Sequence, residues 1–132
     1  MNRFLNKWLM LYNCVGPQRG INFRVSDKPW GPWSDPRLLF DPWRDRGYCY
    51  FMHSRDHLLC PEGSPNPKDV LVFRTFGDED WGGEYGPFVI DAYTTGDETT
   101  RSTVVYFTMS TWNPYQVVLM KSRLIQTRSF VP

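Results

Sequence analysis

A chain of 132 residues with 41% hydrophobic content is long enough for one domain with one core and leaves little room for a second. Its 15 Lys and Arg against 14 Asp and Glu give a formal charge of +1, which lacks the electrostatic footprint of a polyanion binder, so no nucleic-acid partner is expected. No stretch approaches the roughly twenty apolar residues of a membrane helix, and no membrane partner is expected either.

What stands out is 17% aromatic residues together with 11 prolines and 10 glycines. Rings that stack on flat ligands and residues that punctuate short strands are both over-supplied, which favours β-structure with many turns. Three cysteines, Cys14, Cys49 and Cys60, allow at most one internal disulfide. The opening segment has a basic flank and a short apolar run from Trp8 to Tyr12, but no small-residue cleavage site, so it does not read as a signal peptide.

In chain order, short β-rich runs bounded by Gly, Pro, Asn and Asp predict strands over Trp8–Asn13, Ile21–Ser26, Arg37–Phe40, Tyr48–His53, Val70–Phe76, Phe88–Tyr93, Thr103–Ser110 and Gln116–Leu124. No long stretch repeats apolar residues at helical spacing. Between the second and third runs, Asp27–Pro36 is read as a turn plugged by Trp30 and Trp33 at a core edge. Thr94–Asp97 reads as a turn, and Asp91 as the far end of the strand before it.

Trp8–Ser26 and Thr103–Ser122 both read as strand, polar turn and strand, a weak internal repeat that suggests propeller blades. At roughly 40 to 50 residues per blade the chain holds two to three, fewer than a closed ring needs. The expectation is therefore a single all-β domain over residues 1–132, a partial β-propeller, with a β-sandwich as the alternative that eight short strands also fit. Unclosed sheet edges invite self-association, so copies of the chain are an expected partner.

Trp8-Leu-Met-Leu-Tyr-Asn13, Ile21-Asn-Phe-Arg-Val-Ser26, Pro29-Trp-Gly-Pro-Trp-Ser34 and Leu39-Phe-Asp-Pro42 resemble the family catalogued as domain of unknown function 4185. Gly82-Gly-Glu-Tyr-Gly-Pro87 and Tyr106-Phe-Thr-Met-Ser-Thr-Trp-Asn-Pro-Tyr-Gln116 are similar to that family's C-terminal signature, whereas about residues 54 to 80 no similarity is apparent. The resemblance implies a five-bladed propeller, glycoside hydrolase activity that cuts D-arabinan internally, and an extracellular or cell-envelope setting. Members being about twice as long, it also implies that this chain corresponds to the C-terminal part of a longer propeller and is inactive alone.

Glycoside hydrolysis needs two carboxyl groups flanking the scissile bond and calls for no cofactor. Glu84, in Gly82-Gly-Glu-Tyr-Gly86, sits where glycines let backbone approach a ligand, and is the candidate catalytic residue. Asp35, Asp41 and Asp45, among prolines and arginines, are expected in turns and caps, and Asp78, Glu79 and Asp80 in a solvated loop. Trp81, Tyr85, Trp112, Asn113 and Tyr115 are candidate substrate-binding residues, since flat rings contact the apolar faces of sugars while amides bond hydroxyls. Of these rings Trp112, in a Pro-bounded loop, is the one most expected to face a ligand. Cys49, His53, His57 and Cys60 carry zinc-ligand chemistry, but their spacing suits one ion poorly, and a Cys49–Cys60 disulfide or two buried thiols is the preferred reading. No Gly-x-Ser-x-Gly elbow, phosphate loop or dinucleotide fingerprint is present. Two functions remain: part of an arabinan-directed hydrolase cleft, or a β-domain that binds a glycan or a protein without cleaving it.

Overall fold

A computed structural model describes residues 1–14, 19–67, 81–112 and 114–127. Among the described residues seven strands form two antiparallel sheets that do not close on each other, so the all-β expectation holds, and the architecture suits either a partial propeller or a sandwich. The first sheet is a meander of β1 (Trp8–Cys14), β2 (Gly20–Ser26) and β3 (Arg37–Phe40). The second holds β4 (Glu84–Val89), β5 (Thr95–Asp97), β6 (Ser102–Thr111) and β7 (Gln116–Ile125).

Among these β6 is the spine. It pairs with β7 over its whole length, while β4 and β5 share its other edge, β4 against Phe107–Thr111 and β5 against Ser102–Val104. Its alternate residues Val105, Phe107, Met109 and Thr111 are buried, the period of two that places one face on a core. β4 is an edge strand, which is how it accommodates Pro87, a residue without an N–H to donate; its register shifts between Tyr85 and Phe88.

Where the sheets meet, Ile21 and Phe40 from the first pack with Phe107 and Met109 from the second, joined by Tyr48, Cys49 and Met52. Side chains of this size each contribute about 1.5–3 kcal/mol on full burial. The run Tyr48–His53 is thus core, but it is not the predicted strand. The Gly47 carbonyl accepts the N–H groups of Tyr50, Phe51 and Met52, and the Pro42 carbonyl those of Gly47 and Tyr48, so the segment satisfies its backbone as a coiled loop. A Cβ on Gly47 would stand 2.7 Å from the Phe40 ring and 2.8 Å from the Met52 sulfur, so glycine is what lets the loop reach the core. The Cys49–Cys60 disulfide forms and leaves Cys14 as the free thiol.

Further differences are local. The predicted Phe88–Tyr93 strand begins earlier, at Glu84, and Asp91 opens a 3-10 turn over Asp91–Tyr93 instead of ending the strand. Thr95–Asp97 is a short strand, not a turn, because β6 has edge donors and acceptors left for it beyond β4. Trp30 is 78% exposed and plugs nothing, while Trp33 is half-buried. Val70–Phe76 and the acidic run 78–80 lie outside the described residues. Among the described residues no helix is long and apolar enough to cross a membrane.

At the far end of β6 the N-terminal residues close over the second sheet. Asn2 and Lys7 exchange backbone hydrogen bonds of 2.8 and 3.3 Å, and the buried Asn2 amide donates to Thr103 Oγ1 at 3.1 Å. Thr103 Oγ1 in turn donates to the Thr95 carbonyl.

Candidate carboxylate and aromatic site

Glu84 opens β4 opposite Thr111, and the segment ahead of it is sutured on both sides. The Gly82 N–H donates to the His53 carbonyl at 2.7 Å, and the Trp112 N–H to the Gly83 carbonyl at 2.8 Å. These bonds fix the Glu84 backbone between the coiled loop and the β6–β7 turn.

From the first sheet, Gly20 supplies a backbone N–H to the Glu84 carboxylate. Gly20 has φ +113°, and a Cβ there would lie 2.0 Å from the Phe40 carbonyl oxygen, so only glycine lets β2 pass this close to Phe40. Burial pushes the Glu84 carboxyl above the ordinary glutamate range; hydrogen bonds from its own N–H and from Gly20 oppose the shift, as does the Arg19 guanidinium, and the nearby Asp41 carboxylate adds to it. Tyr48 is pushed up to about 12, first by burial and then by the charge of Glu84, with Arg19 opposing and Asp41 adding.

Glu84, Asp41, Tyr48 and Arg19 therefore lie within electrostatic reach of one another. Asp41 follows β3 directly, and its Oδ1 caps the next turn by accepting the Trp43 and Arg44 N–H groups at 2.9 and 3.2 Å. Asp45 accepts the Asp41 N–H and pairs with Arg44, and Arg44 holds its carboxyl below the usual range. The expected turn and capping roles of Asp41 and Asp45 are thus present, with Asp41 doing more besides.

An aromatic wall adjoins the acids. Trp43, Tyr48 and Trp81 form a triad with ring centroids 4.9 to 5.6 Å apart, and the Arg55 guanidinium lies over Trp81. Trp112 and Tyr115 form a second, edge-on pair 4.7 Å apart at the β6–β7 turn, tied to Gly83 through the Trp112 N–H. Trp81, Glu84, Trp112 and Tyr115 thus gather at one end of β6. Tyr85 does not face Glu84, since neighbouring strand residues project to opposite faces; it stands exposed on the outer face beside Ser110. Asn113 lies outside the described residues.

Both Cys49 and Cys60 are taken up in the disulfide, which removes the thiolates a zinc site would use, and the described residues hold no group of three or more metal-ligand side chains. Asp41, Tyr48, Arg19 and Trp43 were not singled out for the site from sequence. The available signal was that Asp41, like Glu84, adjoins a strand end.

The family described as a domain of unknown function (DUF4185) matches residues 1–121, a span that includes the stretch from 54 to 80 where no similarity is apparent by eye. No curated protein and no solved structure matches the chain. With nearly its whole length inside the match, the chain belongs to the DUF4185 family.

Proposed function

We propose that this chain is a carbohydrate-active protein whose Glu84 end forms part of a glycan cleft of the glycoside hydrolase kind, suited to arabinan-like oligosaccharides. The observation that carries the reading is a part-buried carboxyl with a raised proton affinity beside a second carboxylate and a wall of tryptophan and tyrosine. Burial shifts the Glu84 carboxyl in the direction a general acid needs, while Asp41 is the second acidic group that such chemistry calls for. Trp43 and Trp81 offer ring faces for the apolar side of a sugar; Trp112 and Tyr115 offer a second contact, with Tyr85 serving the outer rim.

Titration with arabinan oligosaccharides, followed by tryptophan fluorescence, tests the cleft. Trp112→Ala and Trp81→Ala are expected to weaken binding roughly tenfold or more, and Trp33→Ala to leave it near the parent value. Reducing-end release from D-arabinan tests the chemistry. The 132-residue chain, with its sheets unclosed, is expected to show none. A full-length relative should lose activity but keep its fold when the equivalent of Glu84 becomes Gln. No oligosaccharide binding by the parent chain would remove the glycan reading, and binding without turnover in any relative would leave a non-catalytic β-domain.

A further inference from the structure

β7 borders the second sheet: it pairs with β6, and among the described residues no strand pairs with its other edge. Which residues present that edge follows from the ladder. The Gln126 N–H donates to the Arg101 carbonyl at 3.0 Å, and this pair continues the β6–β7 register without a shift. Opposed residues of an antiparallel ladder alternate between exchanging both hydrogen bonds and exchanging none, so the even-numbered residues of β7 are the ones that bond β6. The N–H and C=O groups of Val117, Leu119, Lys121, Arg123 and Ile125 therefore turn outward. On β6 the same phase sends the Tyr106 carbonyl to the opposite side, where it accepts the Ile90 N–H at 2.8 Å.

Those same residues carry the exposed side chains of β7, which share its outer face. Lys121 lies opposite Tyr106 and Arg123 opposite Val104, so neither meets an acid across the ladder, and among the described residues neither forms an ion pair. On the inner face Val118, Met120, Ser122 and Leu124 are only half-buried. The edge thus offers outward backbone donors and acceptors, apolar side chains at both ends and positive charge between them. A second copy laid antiparallel along the whole row would set Lys121 against Lys121, and like charges directly opposite destabilise a pair. The cations that guard the edge against a copy of itself select a partner that carries acids.

We propose that the outer edge of β7 takes up an extended acidic segment of a partner protein by antiparallel strand addition. Main-chain bonds to the outward groups supply the affinity, and carboxylates two residues apart, which project to one face of the added strand, meet Lys121 and Arg123. Apolar residues on that face of the partner meet Val117, Leu119 and Ile125, while its other face extends the half-covered side of β7. Glu84 opens β4, which pairs with the opposite edge of β6, so this surface stands whatever Glu84 binds.

The test uses the 132-residue chain and a capped nine-residue peptide with threonine at every second position and, on its other face, valine, glutamate, glutamate, valine and valine in order. Without peptide, the outward amides of β7 should exchange with solvent faster than the inward ones; the peptide should slow that exchange and shift those resonances saturably. Lys121→Glu with Arg123→Glu, both at exposed positions, should weaken the peptide about tenfold or more and confer binding of the same peptide with lysine in place of glutamate. Leu119→Pro removes one outward N–H, spares the bonds to β6 and should abolish binding. Raising ionic strength from about 0.05 to about 0.2 M should weaken the parent complex. Outward amides already protected in the parent chain would show the edge to be covered and overturn the proposal, and sedimentation that shifts with concentration would identify a second copy as the cover. Equal binding of the glutamate and lysine peptides would overturn the acidic partner. Binding that survives Leu119→Pro would exclude strand addition, and the absence of saturable shifts in β7 would remove the site.

Discussion

The coiled loop with its flanks and the β6–β7 hairpin both deliver side chains to one core, but they are held by different means. The hairpin aligns ten residue pairs, so its geometry is shared among many equivalent bonds. The loop relies on single atoms: one glycine carbonyl accepting three N–H groups, one disulfide, and Asn66, whose side chain brackets the Ser54 backbone through bonds of 2.8 and 3.0 Å. Shared geometry tolerates substitution; geometry that rests on one atom does not. The candidate site belongs to the second kind, which is why its shape should respond sharply to changes that leave the hairpin intact.

The largest effect is expected at Gly20, the glycine that lets β2 pass close to Phe40 and whose backbone N–H faces Glu84. Gly20→Ala places a Cβ against a backbone oxygen in a left-handed conformation and should cost roughly 3 kcal/mol or more in urea unfolding. A cost below about 1 kcal/mol would show that the strand can retreat, and that the Glu84 contact is not fixed by this residue.

Next comes the disulfide. Cys49→Ala with Cys60→Ala should destabilise by about 2–4 kcal/mol, chiefly by freeing the unfolded chain, and hydrogen exchange should quicken around the loop before it does in β6.

Tyr48 gives a comparable effect that depends on pH. Its phenol is raised in the folded state from the ordinary 10.0 to about 12, so the neutral form is favoured on folding; this stability is fully present below pH 10 and is lost as pH rises through 12. Two units correspond to about 2–3 kcal/mol, and Tyr48→Phe should flatten stability across that window. Glu84 follows the same sign: its raised carboxyl contributes below the ordinary glutamate range and loses that contribution as pH climbs through its folded-state titration, a slope that Glu84→Gln should remove.

Smaller effects should separate the two regions. Asn66→Ala removes two bonds to Ser54 and should cost about 1–2 kcal/mol. Leu119→Ser, at a hairpin position that is 58% exposed, should change stability by no more than about 0.5 kcal/mol. If Leu119→Ser proves the costlier of the pair, the contrast between shared and single-atom geometry fails.

The same contrast explains what could be read from sequence. β1, β2, β3, β6 and β7 fall within a residue or so of expectation, because alternation and flanking Gly, Pro and Asn encode a strand locally. Tyr48–His53 carries the same apolar density without being a strand; what coils it is the Gly47 carbonyl and a left-handed Cys49, neither visible in a hydrophobic pattern. Glu84 was legible from its glycines. The approach of Asp41, Tyr48 and Arg19 was not, since they come from the first sheet and its loops and meet Glu84 only through the packing of the two sheets. Asp41 looks like a turn residue because it is one, and its second role depends on where that turn is carried.

The Asn2 contact has a consequence for the order in which this chain can assemble during synthesis. The Asn2 amide and its Thr103 partner are separated by 101 residues, so a segment made ahead of β1 must wait for β6 before its buried polar group is satisfied. The β1–β2–β3 meander is local and can form early, yet its inner residues Ile21 and Phe40 stay uncovered until Phe107 and Met109 arrive. Until then the nascent protein carries an exposed apolar sheet face, so chaperone engagement or slowed translation between β3 and β6 should govern how much chain reaches the native state.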